Sequence, residues 1–547
     1  MSRALALTAG VICGFLVAGL AFAGSTARKP RQAPAGPRAG EPVFVINGRG
    51  WGHGVGMGQW GANGFARKGW TYDRILAHYY RGTTIGDAPL SKVRVLLAAG
   101  KRRLDLASTA PFRVRDGSGK MRALPAGPLA LGPGLKLRPK GGKRKIALQA
   151  PLTFLPGQEP LRLGRRYRGS IRVDVQKGRL RAINVVGLEQ YLYGVVPSEV
   201  PDDWPAEVLK AQAVAARSYA LATRKTDGDF DLYPDVRSQV YRGVDEEVET
   251  TTAAVDETAR EVLTYGGEVA LTYFFSTSGG KTASVTDVFA GSKPTPYLVS
   301  VDDPYDSLSP HHVWGPLVFP VSRLQKAIKA PGRLTDVRTT VNRSARVSTV
   351  TGVGTLGQVT LRGSDVRRVL DLRSTWFRVG VLALPVPTKA IPYGAAGKLT
   401  GTARGLAKVV LEQQSGATWR SVAQVQPVSG GAFTVTVRPT TTSLYRLAAG
   451  TARTAATRVT VAPQVALAPV TDAMELRGSV KPLLAGAGVE IQKQSGKTWQ
   501  TIGRATVDAR GDFSARIYVP PGSYRAVVPT PGRGLVAGTS STLVVNG

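Results

Sequence analysis

The sequence predicts an α+β domain, rich in β-structure around one alanine-rich helix, followed by two all-β sandwich modules of immunoglobulin-like type. Three observations carry this prediction. The chain has 547 residues, which at roughly 150 residues per domain is enough for three or four. Residues 92–186 break into short apolar segments such as VRVLL, SIRVDV and RAINVV, separated by Gly, Pro and Lys turns, whereas residues 206–222 hold seven alanines in a helical run. The C-terminal part repeats itself: Gly401, Gln414-Ser415-Gly416, Thr418-Trp419, Phe433 and Tyr445-Arg446 recur as Gly478, Gln494-Ser495-Gly496, Thr498-Trp499, Phe513 and Tyr524-Arg525, at offsets of 77 to 80.

Taken in order, residues 1–23 read as a secretory signal, with Arg3 as the charged start, an apolar run, and Ala21-Phe22-Ala23 at the cleavage position. Residues 24–41 have Pro, Gly, Ala and Arg but almost nothing to bury, and read as a disordered basic tether. Residues 42–384 form the α+β domain, beginning with a glycine-rich element and two helices (42–88), the second opening at Thr71 as N-cap. LPVPTKAIPYGAAG supplies a linker at 385–397. The modules occupy 398–463 and 464–547, and the equivalent Trp419 and Trp499 are expected in their cores rather than as sugar platforms.

Composition narrows the chemistry. The only cysteine, Cys13, lies inside the signal, so an exported chain has no disulfide and no cysteine metal ligand. The net charge of +35 favours polyanions. Outside the cell that means wall polymers and not nucleic acid, although a GC-rich composition explains the charge equally well. Gly56 to Gly61 satisfies GxGxxG, but the exported address and the lack of a βαβ frame argue against a dinucleotide fold. No membrane segment follows the signal.

The segment GVVPSEVPDDWPAEVLKAQAVAARSYALA (194–222) holds Glu199 between Pro197 and Pro201, among Val195, Val196 and Val200. Desolvation of that kind raises a carboxyl pKa, and a raised carboxyl is what a general acid for a glycosidic bond requires. Lys210 and Arg217 lie seven residues apart on the following helix and share a face. They suit a carboxylate-bearing polysaccharide, but periodicity alone favours an ordinary solvated basic face. Asp202, Asp203 and Glu207 read as helix-cap and dipole residues.

VVPSEVPDDWPAEVLKAQAVAARSYAL resembles the signature of the SpoIID/LytB family, the stage II sporulation protein D lytic transglycosylases and their amidase-enhancer relatives. The resemblance extends through QVYRG (239–243), YFFSTSGGKT (273–282), PYLVSVDDPYD (296–306) and LDLRSTWF (370–377). The family's glycine-rich hallmark, GRGxGHGVGMxQxGA, is present as GRGWGHGVGMGQWGA (48–62), followed by HYYRGT at 78–83. In the family's usual order that block follows the LDLRSTxF strand, whereas here it comes first. The resemblance therefore implies a circular permutation, with residues 43–85 folding back onto later segments.

It also implies cleavage of peptidoglycan glycan strands at N-acetylmuramic acid with 1,6-anhydro ends, and Glu199 as the catalytic carboxyl. Lys210 and Arg217 would hold substrate carboxylates. Gln239, Tyr241, Ser276 and Ser278 are donors to sugar hydroxyls or acetamides, or else core hydrogen-bonding groups. His53 either binds substrate or bridges strands. Some relatives bind zinc with His and Cys just after the helix; DFDLYPDVRSQVY here has neither, so no metal and no cofactor are expected. The alternative implied by the enhancer branch is a non-catalytic wall protein that binds glycan and recruits or stimulates an amidase. Adhesion to anionic wall polymers is a third reading.

Overall fold

The computed structural model describes residues 38–137, 145–469 and 474–546. The predicted signal and most of the tether lie outside the described residues. Among the described residues no helix is long and apolar enough to cross a membrane.

The N-terminal strand Val43–Arg49 lies in the interior of a sheet. It pairs antiparallel with Val313–Pro320 on one side and with Phe377–Ala383 on the other. Four consecutive residues, Val43 to Ile46, are buried, the pattern of a strand covered on both faces. Phe44 and Ile46 point into one apolar core with Trp314, Leu324 and Val350, while Val45 enters a different one with Leu399 and Tyr445. Period-two alternation thus lets a single strand join two cores.

The same sheet runs on through Gly397–Arg404 and Ala432–Val437. Residues 385–397, expected as a linker between independent units, are instead the return of an antiparallel connection: Val381 to Ala383 pair with Thr402 to Arg404. Within that return, Ile391–Pro392 pairs with Val461–Ala462. The first C-terminal module is therefore stitched to the larger domain by main-chain hydrogen bonds.

The largest core surrounds the helix Ala206–Thr223, where every position from Val208 to Leu221 except Lys210 is buried. The helix is buried on all sides, its polar Gln212, Arg217 and Ser218 included, and its alanines let neighbours approach from several directions. Around it pack the helices Gln59–Arg67, Tyr72–Tyr79 and Glu249–Glu257 and the strand Glu261–Tyr265. A six-stranded antiparallel sheet containing Lys92–Lys101, Arg179–Gly187 and Ser170–Gln176 adds to this core.

Each C-terminal module packs two antiparallel sheets over a core, the first sharing its core and one sheet with the larger domain, and Tyr445 and Tyr524 are buried at equivalent places. Trp419 and Trp499 correct the sequence expectation. Both are half-buried and absent from these cores. Gln413, the neighbour of Gln414 on its strand, stands opposite buried Tyr445; Gln414 itself stands opposite Trp419. By alternation Trp419 is on the outer face, where the Arg446 guanidinium lies 4.0 Å from the ring centre; Arg525 covers Trp499 at 4.3 Å.

Candidate functional site

Glu199 closes a single helical turn, Val196–Glu199, whose apolar first residue is buried and whose last residue is half-buried. It forms one wall of a small, mostly apolar pocket with Tyr219, Val236, Ser238, Gln239, Val240, Tyr273 and Phe274. Burial pushes its carboxyl up to about 8, offset only in part by a hydrogen bond from the Val240 main chain. No cation contributes to that balance. Partial burial thus favours the neutral acid, and no neighbouring positive charge opposes it.

The structure separates most of the other predicted site residues from this pocket. Arg217 is fully buried: it pairs with Glu189 and donates to the main-chain carbonyls of Val255 and Glu261. It is an internal strut, and its role as a substrate cation is corrected, because a guanidinium desolvated in a core must be matched within that core. Lys210 bridges Glu207 at 3.0 Å and Glu257 at 2.7 Å, so its ammonium already has two carboxylates. Neither residue lines the pocket.

Of the four proposed polar donors, only Gln239 reaches the pocket wall. It is itself buried, accepting from the Tyr191 hydroxyl at 3.2 Å and donating to the Ala216 carbonyl at 3.3 Å. The Tyr241 hydroxyl donates to Asn184 at 2.9 Å inside the core. Ser278 is fully buried, and its hydroxyl accepts from the Gly280 main chain at 3.0 Å. Ser276 is half-buried, its hydroxyl 3.2 Å from that of Thr277. For Tyr241 and Ser278 the core-bonding alternative is the one the geometry supports.

His53 sits among the rings of Tyr273, Phe275 and Phe289, with centroids 5.4 to 5.7 Å away. Its Nδ1 accepts from the Val55 main chain at 3.1 Å. Burial first, and then the charges of Arg367 and Arg346, push it down to about 3. It is a neutral bridge within the glycine-rich block. Among the described residues no group of three or more His, Cys, Asp or Glu is placed to hold a metal ion.

That block nevertheless reaches the site. Gly50 donates to His311 and His312, Trp51 exchanges main-chain bonds with Thr277, and Gly52 donates to Arg373. Met57–Gly58 pairs with Phe274–Phe275, so the N-terminal segment lies against the strand that supplies the pocket. Gln59, whose place in that block gives no hint of its role, donates to the main-chain carbonyl of Glu199 at 3.1 Å and to Gln212 Oε1 at 3.3 Å. Tyr219 and Tyr273 lie inside the quoted motifs and Ser238 just ahead of QVYRG, but nothing in the sequence singles them out; only spatial assembly brings these three separate segments to one pocket.

Residues 176–265 match the SpoIID family, described as Stage II sporulation protein. Stage II sporulation protein D of Bacillus amyloliquefaciens is 30% identical over 247 residues, which span 41% of this chain and 70% of that protein. The chain belongs to the SpoIID family. An uncharacterised protein of Brachyspira hyodysenteriae is 38% identical over 141 residues, a quarter of this chain (25%) and 38% of that one. An amidase enhancer of Bacillus subtilis strain 168 is 37% identical over 116 residues, 21% of this chain but only 15% of that protein. The SpoIID match contains Glu199 and the whole helix behind it. It stops short of the pocket residues Tyr273 and Phe274.

Proposed function

We propose that this SpoIID protein is a secreted enzyme that cuts peptidoglycan glycan strands by lytic transglycosylation, with Glu199 as its single catalytic carboxyl. The observation that carries the reading is the makeup of the pocket. Among the described residues Glu199 is its only acidic lining residue, and burial pushes its carboxyl up to about 8. Hydrolysis by either common route uses a second carboxylate, roughly 5 to 9.5 Å away depending on stereochemistry. Internal transfer needs only one.

In the first half of the reaction Glu199 gives its proton to the glycosidic oxygen as the bond to C1 of N-acetylmuramic acid breaks. The sugar's own 6-hydroxyl oxygen then bonds to C1, and the Glu199 carboxylate takes the hydroxyl proton. The acid is regenerated, one bond has replaced another, and no water is consumed. The phenol and phenyl groups of Tyr219, Tyr273 and Phe274 keep the local medium dry, which favours the neutral acid before transfer. The net charge of +35 supports secondary association with anionic wall polymers.

A second reading has a specific motive in the amidase-enhancer relative: the pocket binds glycan and the protein stimulates an amidase without cutting. Mass spectrometry of purified glycan strands after incubation separates the two. Release of 1,6-anhydromuramoyl ends by the wild type, lost in Glu199→Gln, supports cleavage; intact strands that remain bound to the protein favour the second reading.

A further inference from the structure

We propose that Gln59, on the N-terminal segment, is the positioning residue of Glu199, fixing how deeply the acid-bearing turn sits against the pocket. The proposal rests on the reading of Glu199 as the acid. A four-residue helical turn leaves its last carbonyls without intrahelical partners, and a buried one needs a donor. The Glu199 carbonyl receives that donor from the Gln59 amide at 3.1 Å. Gln59 is almost wholly buried, and the same Nε2 reaches Gln212 Oε1, on the neighbouring helix, at 3.3 Å. One amide therefore ties the turn to the helix behind it.

Gln59 is itself anchored on the opposite wall. It opens the helix Gln59–Arg67 directly after Met57–Gly58, which pairs in parallel with Phe274–Phe275. The Met57 main chain donates to the Tyr273 carbonyl at 3.0 Å, and Trp60 donates to Ser276 at 3.0 Å. Trp60 also meets Trp204, at the approach to the acid-bearing helix, edge to face at 5.0 Å. Two of the pocket's lining segments, Glu199 and Tyr273–Phe274, are thus joined through residues 57–60, beside the bond from the Thr272 hydroxyl to the Ala215 carbonyl at 2.7 Å. On the carboxyl side only the Val240 main chain holds Glu199. Loss of the Gln59 donor frees the turn to rotate outward and lets water reach the carboxyl.

Two substitutions in the full-length protein test this. Gln59→Met keeps the volume and removes the donor. The expected result is a kcat lower by roughly 100-fold, the order of effect of a misplacement near 1 Å, with KM within twofold. The alkaline limb of the pH–rate profile, set by Glu199 near 8 in the wild type, should move to lower pH. Gln59→Glu has a carboxylic O–H that replaces the donor only while it is protonated, so activity should recover at acidic pH and fall as that group ionises. A rate within threefold of wild type and an unmoved limb in Gln59→Met would overturn the proposal.

Titration of the Glu199 carboxyl by carbon-13 NMR, in wild type and Gln59→Met, is a readout independent of cleavage. If Gln59→Met folds poorly, Gln59→Leu, which also lacks the donor, is titrated in its place. If the wild type releases no anhydro ends, the enzymatic reading fails while the titration still judges Gln59. A lowered carboxyl pKa in the variant supports positioning, and an unchanged one sinks it.

Discussion

Among the described residues two carboxyl groups are pushed up by burial, Glu199 beside its pocket and Asp303 in the loop after Val301, and they differ in everything except that. Asp303 is raised to about 7, by burial first and then by the neighbouring charge of Asp306. It is fully buried, accepts from the Tyr79 hydroxyl at 2.9 Å, and lies where a Cβ on Gly61 would come within 1.9 Å of its Oδ1. Asp306 in turn receives the main-chain N–H groups of Ser278 and Gly279, at 2.7 and 2.8 Å, and meets His312 Nδ1 at 2.9 Å. Glu199 has a pocket before it and one main-chain donor. The contrast teaches that desolvation makes a neutral acid, but access makes a useful one.

The largest expected effect breaks the pair apart by function. Glu199→Gln should lower the rate of anhydro-end release by roughly 10²- to 10⁴-fold, the usual contribution of a positioned acid and base. Asp303→Asn, isosteric and still able to accept from Tyr79, should leave that rate within twofold. A comparable loss in both variants would mean that the Asp303 loop, and not the pocket, governs the chemistry.

The next effect is on stability and emerges only as pH is changed. The folded pKa of Asp303 lies above its unfolded value, so the native state binds the extra proton. The stabilisation is fully present below about 4 and is lost as pH rises towards 7. A tenfold difference in proton affinity between the folded and unfolded chain is worth about 1.4 kcal/mol, so Asp303→Asn should gain roughly a few kcal/mol on the wild type across that window. Urea midpoints of the two proteins at pH 4, 5, 6 and 7 measure it; parallel midpoints would show that Asp303 is not held neutral.

Much of this contrast is legible in the chain. The valines around Glu199 announce a desolvated carboxyl, and the displaced glycine-rich block announces contacts with residues near 277 and 373. Arg217 is not legible, because its partner Glu189 is 28 residues away and no helical period points to it. Trp419 defies its expected place for a local reason: the strand partners shift register by a bulge between Leu411 and Glu412, which inverts the inward and outward sides along the strand. The continuity of the sheet through residue 385 is hidden because proline and glycine mark a tight return as readily as a linker. Gln59 stands inside a recognised motif, yet its role depends on a carbonyl 140 positions away.

The smallest effect concerns Lys210, the cation that the sequence places beside Glu199. Its ammonium is shared by Glu207 and Glu257, and no cation enters the balance that raises Glu199. Lys210→Met should therefore cost about 1 kcal/mol or less, the scale of partly exposed ion pairs, and should leave KM and the alkaline limb of the pH–rate profile unchanged. Thermal melting and a pH–rate profile on the same preparation measure both quantities. If the limb shifted to higher pH, the wild-type ammonium would have been stabilising the Glu199 carboxylate through space. If KM rose tenfold without loss of stability, Lys210 would be a substrate cation after all, with Glu207 and Glu257 as partners that the glycan displaces. An unchanged profile with a small loss of stability leaves Glu199 as it stands in the fold, an acid made by its isolation.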